Sequence, residues 1–229
     1  MLFGQTTPSV PTDEFSNHPG GSTVEAGVTI GMSWDERFSC EHYVYGEKPN
    51  AFLVRHASLL APGARILVPG DGEGRNGVWL AGMGMSVLSV DSSAVGLAKA
   101  KRLADRHGVA IETQCVDLEA WEWPTSVFDA VVAIFLHLPP ETCPSIHAAM
   151  LGALKPGGLI ILQAFRPEQL GFGSGGPKDV SRLYTAALLA ADFTDAEILV
   201  NEEELVTLDE GPLHRGPAAT VGFVARRRR

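Results

Sequence analysis

Arg65-Ile66-Leu67-Val68-Pro69-Gly70-Asp71-Gly72-Glu73-Gly74-Arg75-Asn76 sets a short apolar run directly before three glycines at alternate positions. The run reads as a buried strand and the residues from 74 to 83 as a helix, so the glycines occupy a strand-to-helix turn. Side chains there would hold a ligand away from the backbone, and such a turn calls for positive φ. Asp91 ends the next strand-like run, Ser86-Val87-Leu88-Ser89-Val90-Asp91, 21 residues after Gly70. A carboxylate at that point is placed to accept hydrogen bonds from two ribose hydroxyls. A dinucleotide site prefers G-x-G-x-x-G; here the spacing is G-x-G-x-G and Arg75 fills the later position, which favours a cofactor without a pyrophosphate. The plain alternative is a turn without a ligand, with Asp91 merely capping the helix that follows.

Strand-like and helix-like segments alternate outward from this turn, the pattern of a mostly parallel sheet covered on both faces. A helix is expected over 50–60, with Phe52, Leu53, His56, Leu59 and Leu60 on it, and Pro62-Gly63 stops it. After Asp91, Ser92 or Ser93 can cap a helix that buries Ala94, Leu97, Ala100 and Ala104. Strands are expected over 109–116 and over 127–136, the latter interrupted only by Asp129. A helix carrying Ile146, His147, Met150, Leu151 and Leu154 ends at Lys155-Pro156-Gly157-Gly158 before a strand over 159–165. The stretch Gly171 to Gly176 reads as a mobile loop able to close over a substrate. A helix through Val180, Leu183, Tyr184, Ala187, Leu188 and Ala191 then precedes strands near 196–206 and 218–226. The fold expected is a single-domain α/β, doubly wound, seven-stranded sheet. It spans 32–229, with a lid segment over 33–49 and a disordered extension over 1–31.

The chain has 229 residues and a net charge of −9, so a general attraction to nucleic acid or anionic lipid is not expected. Cys40, Cys115 and Cys143 form no C-x-x-C pair and no disulfide framework, which points to a reducing, cytoplasmic setting. No apolar run reaches the ~18 residues of a membrane span, and no Lys or Arg occurs before Arg37. Neither a membrane partner nor a leader segment is expected, and monomer and dimer stay equally open. A G-x-S-x-G elbow, an H-E-x-x-H pair and a Walker loop are all missing from the sequence.

With these residues in view, the chain resembles the class I S-adenosylmethionine-dependent methyltransferases, in particular the small tellurite-resistance-type group. The likeness rests on Gly70-Asp71-Gly72-Glu73-Gly74-Arg75-Asn76, Asp91, Asp117-Leu118 and Leu154-Lys155-Pro156-Gly157-Gly158-Leu159. Trp34-Asp35-Glu36-Arg37-Phe38 and Tyr43-Val44-Tyr45-Gly46 add to it. The resemblance implies that Gly70, Gly72 and Gly74 contact the methionine and ribose side of S-adenosylmethionine. Asp91, with Ser92 beside it, holds the ribose, and Asp117 with Leu118 holds the adenine. Two positions depart from the family: Val68 stands where most members have an acid, and Asp71 where they have a small residue or Cys. The acid normally helps to organise the methionine amino group, and Asp71 is a candidate to compensate for it.

Methyl transfer from a sulfonium is an in-line displacement, so the protein need only align the partners, exclude water and take up a proton where required. His137, after the strand over 127–136, is a candidate base or acceptor-binding donor; its alternative role is to cap the strand. Leu213-His214-Arg215 resembles the Leu-His-Arg element that tellurite-resistance methyltransferases use near their oxyanion substrate. His214 and Arg215 are thus candidates to bind and neutralise an anion, with an exposed hairpin as the alternative. Arg75 is a further basic candidate next to the glycine turn. His56 and His147 lie on core stripes and are expected to be structural. Trp34, Phe38, Tyr43 and Tyr45 either close over the cofactor or anchor the lid. Cys40 with His42 lacks a third metal ligand, so no metal is expected. The function expected is methyl transfer to a small acceptor: a thiol, a chalcogen oxyanion or a small metabolite. Its competitors are a weak or inactive cofactor-binding module, motivated by Val68, and an NAD-dependent oxidoreductase, disfavoured by the glycine spacing.

Overall fold

The apolar runs pair into one sheet in the computed structural model, which describes residues 32–229; the extension expected over 1–31 lies outside them. The strands are β1 (Arg65–Pro69), β2 (Ser86–Asp91), β3 (Glu112–Cys115), β4 (Phe128–Ile134), β5 (Leu154–Phe165), β6 (Ala196–Asp209) and β7 (Arg215–Arg227). They lie in the order β3-β2-β1-β4-β5-β7-β6, with β7 antiparallel to both neighbours and the other pairings parallel. Helices α1 (Trp34–Phe38), α2 (Ala51–His56), α3 (Arg75–Gly82), α4 (Ala94–His107), α5 (Cys143–Ala153) and α6 (Ala186–Asp192) complete the chain.

Side chains alternate across β1, so Ile66 and Val68 pack with Phe52, Leu53 and Leu80 while Leu67 joins Met150, Ile160 and Leu162 on the other face. Both faces of the central strands are covered, which explains why their runs are continuously apolar. The edge strand β6 is instead studded with Glu202, Glu203 and Glu204. Arg55 pairs with Glu202 and Glu204, so the edge is charged rather than sticky.

Some expected boundaries move. The strand expected over 109–116 shortens to β3, and β4 stops at Ile134 because Phe135 turns to φ 53, outside strand geometry. Leu154 already pairs with Phe128, so Lys155-Pro156-Gly157-Gly158 forms an irregularity inside β5 rather than a turn before it. The helix expected through 180–191 divides into a 3-10 turn (Val180–Arg182) and α6. Between them the Tyr184 amide donates to the Phe165 carbonyl (3.0 Å), and the Tyr184 hydroxyl accepts from the Leu138 amide (3.0 Å). Those tertiary bonds outweigh the helical period.

The stretch expected to be a mobile loop is tied down. Ser174 donates to the Pro217 carbonyl at 2.6 Å, and the Gln169 amide group donates to Ser174 Oγ and to the Gly175 carbonyl, each at 3.0 Å.

The segment over 33–49 lies across the glycine turn and α4. Ser33 and Glu36 cap α1 reciprocally, and Asp35 accepts from the Ser93 hydroxyl at 2.5 Å. Lys99 of α4 is the main fastening. It is 2% exposed, pairs with Glu73 at 2.5 Å, and donates to the carbonyls of Cys40 (2.9 Å) and His42 (2.6 Å). The Glu73 carboxylate accepts in turn from the Val44 amide at 2.7 Å. A fully desolvated pair of this kind is costly to break from one side, because the surviving charge stays buried alone. Lys99→Met should therefore lower the urea-unfolding free energy by about 3–5 kcal/mol. Lys99→Met combined with Glu73→Gln should recover much of that loss, and no recovery would remove the pair from this role.

Candidate active site

The glycine turn leaves β1 at Gly70, whose amide donates to the Val90 carbonyl at 2.8 Å and whose φ is 68°. Gly74 caps α3 at φ 86°, and a side chain there would set its β-carbon 2.5 Å from that of Ala100. This position is thus closed to other residues twice over, by conformation and by helix contact. Leu136, beyond β4, lies over the bare α-carbon of Gly70.

Asp91 faces the same turn. One carboxylate oxygen accepts from the Gly72 amide (2.9 Å) and the other from the Ser93 amide (2.8 Å). Burial raises its pKa despite these bonds, so the group is held in a partly desolvated niche. Each oxygen retains a lone pair, and a bare turn beside such a carboxylate fits a nucleoside ribose. The Val116 amide donates to the Asp91 carbonyl at 2.9 Å, which brings Asp117 and Leu118 alongside. Asp117 is exposed and accepts from the Glu119 amide, and Leu118 is half-buried. Ser92 is exposed; Ser93, not Ser92, caps α4.

Residues 66–158 match the family model described as a methyltransferase domain. Those residues form a methyltransferase domain, and they lie on the seven-stranded sheet of a class I S-adenosylmethionine-dependent enzyme. The chain is 28% identical over 176 residues to a ubiquinone biosynthesis O-methyltransferase of Methylocella silvestris, covering 71% of this chain and 68% of that enzyme. It is 34% identical over 112 residues to thiocyanate methyltransferase 1 of Arabidopsis thaliana, covering 48% of each, so the chain spans about half of that relative. The fold is also that of TehB from Haemophilus influenzae, with a TM-score of 0.65, 23% identity, and coverage of 78% of this chain and 62% of that one. S-adenosylmethionine is the cofactor of the methyltransferase domain.

Several expected site residues lie elsewhere than the sequence suggested. The Asp71 carboxylate turns inward, accepting from the Ser89 hydroxyl (2.6 Å) and the Gly77 amide (3.3 Å), so it is not free to replace the acid missing at Val68. Val68 itself is enclosed in the apolar core. Arg75 is buried and pairs with Glu210 at 2.9 Å rather than facing solvent.

His137 is no base. Its Nδ1 lies 2.8 Å from the Arg182 carbonyl, which can only accept, so Nδ1 carries the proton and Nε2 accepts from the Phe165 amide at 3.2 Å. Burial lowers its pKa to about 4, which keeps it neutral and structural. Arg215 points outward, where it is exposed and pairs with Asp209 at 3.3 Å. His214 lies buried in the turn before β7 while Arg215 opens the strand and is exposed, so the expected His214-Arg215 anion site does not assemble. His214 itself is buried, with its ring centroid 4.4 Å from Tyr45, 4.8 Å from Phe135 and 5.4 Å from Phe165.

Glu210, Asn50 and Phe135 complete this cluster and carried no local sequence signal. Asn50 donates to Gln163 (2.7 Å) and to Glu210 (2.9 Å). Farther away, Cys143, His147 and Asp192 converge, but His147 Nδ1 bonds Asp192 at 2.7 Å and the sulfur is 3.7 Å from both ring nitrogens. The sulfur therefore faces the ring rather than a lone pair.

Burial raises Asp71 to about 6 from an ordinary 3.8, so the folded state holds its proton more tightly than the unfolded chain. Its contribution to stability is full at low pH and is lost as pH rises from about 4 through 6, a change of about 3 kcal/mol at most. Asp71→Asn should thus unfold with a flatter pH dependence across that window, be at least as stable at neutral pH, and bind S-adenosylmethionine as before. A fall in affinity of about tenfold would place Asp71 at the cofactor instead.

Proposed function

We propose that the chain transfers the methyl group of S-adenosylmethionine to a small-molecule acceptor at the C-terminal ends of β4 and β5. The observation that carries this reading is the meeting of two features at one end of the sheet. One is the niche of Gly72 and Asp91, whose carboxylate suits a ribose; the other is the aromatic cluster of Tyr45, Phe135, Phe165 and His214. Open α/β sheets bind ligands at that end. The names of the O-methyltransferase and thiocyanate methyltransferase relatives support a small acceptor, and the likeness to TehB supports the tellurite-resistance-type group. Three free cysteines are consistent with a cytoplasmic setting.

Bound S-adenosylmethionine supplies a methyl group on a sulfonium, ready for in-line displacement. Gly70, Gly72 and Gly74 would lie against it, Asp91 would accept from the ribose hydroxyls, and Ser92, Asp117 and Leu118 would border the adenine. The segment over 33–49, fastened by Glu73 and Lys99, closes the turn from the solvent side and keeps water out. The aromatic cluster fixes the acceptor, so the protein contributes mostly alignment.

A second reading, a weak or inactive binding module, is favoured by one observation: neither Val68 nor Asp71 offers a carboxylate to the methionine amino group. Calorimetric titration with S-adenosylmethionine, followed by turnover on a panel of thiols, phenols, selenite and tellurite with mass detection, separates the two. Binding with turnover supports the enzyme, and binding without turnover the module. Asp91→Ala should weaken cofactor affinity by about tenfold or more, and Asp91→Asn by less, because the amide keeps one acceptor. Unchanged affinity in both would exclude Asp91 from the ribose.

A further inference from the structure

His214 and Glu210 stand four residues apart in the hairpin between β6 and β7. The turn is closed by the Glu210 amide donating to the His214 carbonyl (2.9 Å) and the His214 amide to the Gly211 carbonyl (3.1 Å). Both side chains are more than nine-tenths buried, at 6% and 7% exposure. Nδ1 of His214 faces Oε2 of Glu210 at 3.7 Å, and Nδ1 makes no hydrogen bond. Such catalytic contacts are commonly long before substrate binds and tighten in the complex. Glu210 is itself anchored from two sides, by Arg75 at 2.9 Å and by Asn50 at 2.9 Å, so its position does not depend on the histidine. The Nε2 edge of the ring lies against Gly175, where any side chain would collide with it.

Resting on the methyl-transfer reading above, we infer that Glu210 is a positioning residue for His214. It holds the proton on Nδ1 and leaves Nε2 to take a proton from a neutral O–H or S–H acceptor. Aromatic rings surround the pair, Arg75 and Glu210 cancel, Arg215 lies outside, and Arg37, which donates to the Tyr45 hydroxyl at 3.0 Å, is a cation that no carboxylate answers among the described residues. The role of the pair names the acceptor class: a base serves an acceptor that must lose a proton as it reacts, a phenol or a thiol on an apolar body, and not an oxyanion that is already ionised.

The other titratable groups facing His214 are Arg37 and Tyr45 of the lid, Arg75 of α3 and His137 after β4. Burial lowers His214, and the two nearby arginines add to that, while Glu210 opposes them. Burial would raise Glu210, but His214 and Arg75 outweigh it and keep it ionised. The pair thus rests as carboxylate and neutral imidazole, the state a base requires.

In the step, the acceptor's proton passes to Nε2 and its lone pair bonds the methyl carbon. The methyl–sulfur bond breaks with its electrons remaining on sulfur, and the imidazolium formed is countered by Glu210.

The test has two readouts. Nitrogen-resolved NMR of the histidine side chains, assigned with His214→Asn, should show His214 neutral and protonated on Nδ1 at pH 7. In Glu210→Gln the ring should shift toward the Nε2-protonated form and titrate at lower pH. An Nε2-protonated ring in the parent protein would overturn the pairing whether or not any turnover is found.

Turnover is then compared on a phenol and on 4-nitrothiophenol, which is already ionised in the assay. Glu210→Gln should lower kcat on the phenol by about tenfold to a hundredfold with little change in KM, and should leave the nitrothiophenol rate nearly unchanged. Equal losses on both acceptors would mean that Glu210 only maintains structure. Faster methylation of selenite than of either would overturn the acceptor class. Failure of S-adenosylmethionine to bind the parent protein would instead count against the methyl-transfer reading, with the NMR result still deciding the pair.

Discussion

The contact between the Asp91 carboxylate and the Gly72 amide sets what the rest of the molecule can do. It joins the end of β2 to the turn after β1, holding a charged acceptor beside bare backbone in a niche that burial has partly stripped of water. In that environment a hydrogen bond to ribose counts for more than at an open surface. The sheet order places the exits of β4 and β5 on the same side, so the niche at Asp91 and the aromatic cluster around His214 lie at one end of the sheet.

One turn serves three directions. Its glycines let Leu136, Phe38 and Ala100 approach the backbone, Asp71 points inward to Ser89 and the start of α3, and Glu73 points to the segment over 33–49 and to Lys99. This division explains how acids at alternate positions can sit in a cofactor turn of an acidic protein without repelling the site. Each is committed to a partner. It also ties the segment over 33–49 to the glycine turn itself, so Tyr45 is fixed by the same turn that meets Asp91.

The strands and the glycine turn were legible because period, glycine spacing and the terminal carboxylate are local signals. Arg65–Pro69 and Ser86–Asp91 appear at the boundaries their apolar runs suggested. Legibility failed where tertiary contacts decide. The stripe through Leu183 and Tyr184 was helical in phase, yet Tyr184 bonds Phe165 and Leu138 instead. The orientation of Arg215 followed from the start of β7, which the sequence placed three residues later. Glu210 and Asn50 are 160 positions apart in sequence, and only the closed sheet brings them together. The acid missing at Val68 was visible as a departure, but that Asp71 could not replace it required seeing where its oxygens go.

The most direct measurement is a crystal structure of the full chain with S-adenosylhomocysteine. The account predicts both ribose hydroxyls within hydrogen-bonding distance of the Asp91 carboxylate, with the thioether sulfur directed toward Phe135 and His214. A nucleoside lodged away from Asp91, or a sulfur turned away from that cluster, would contradict it.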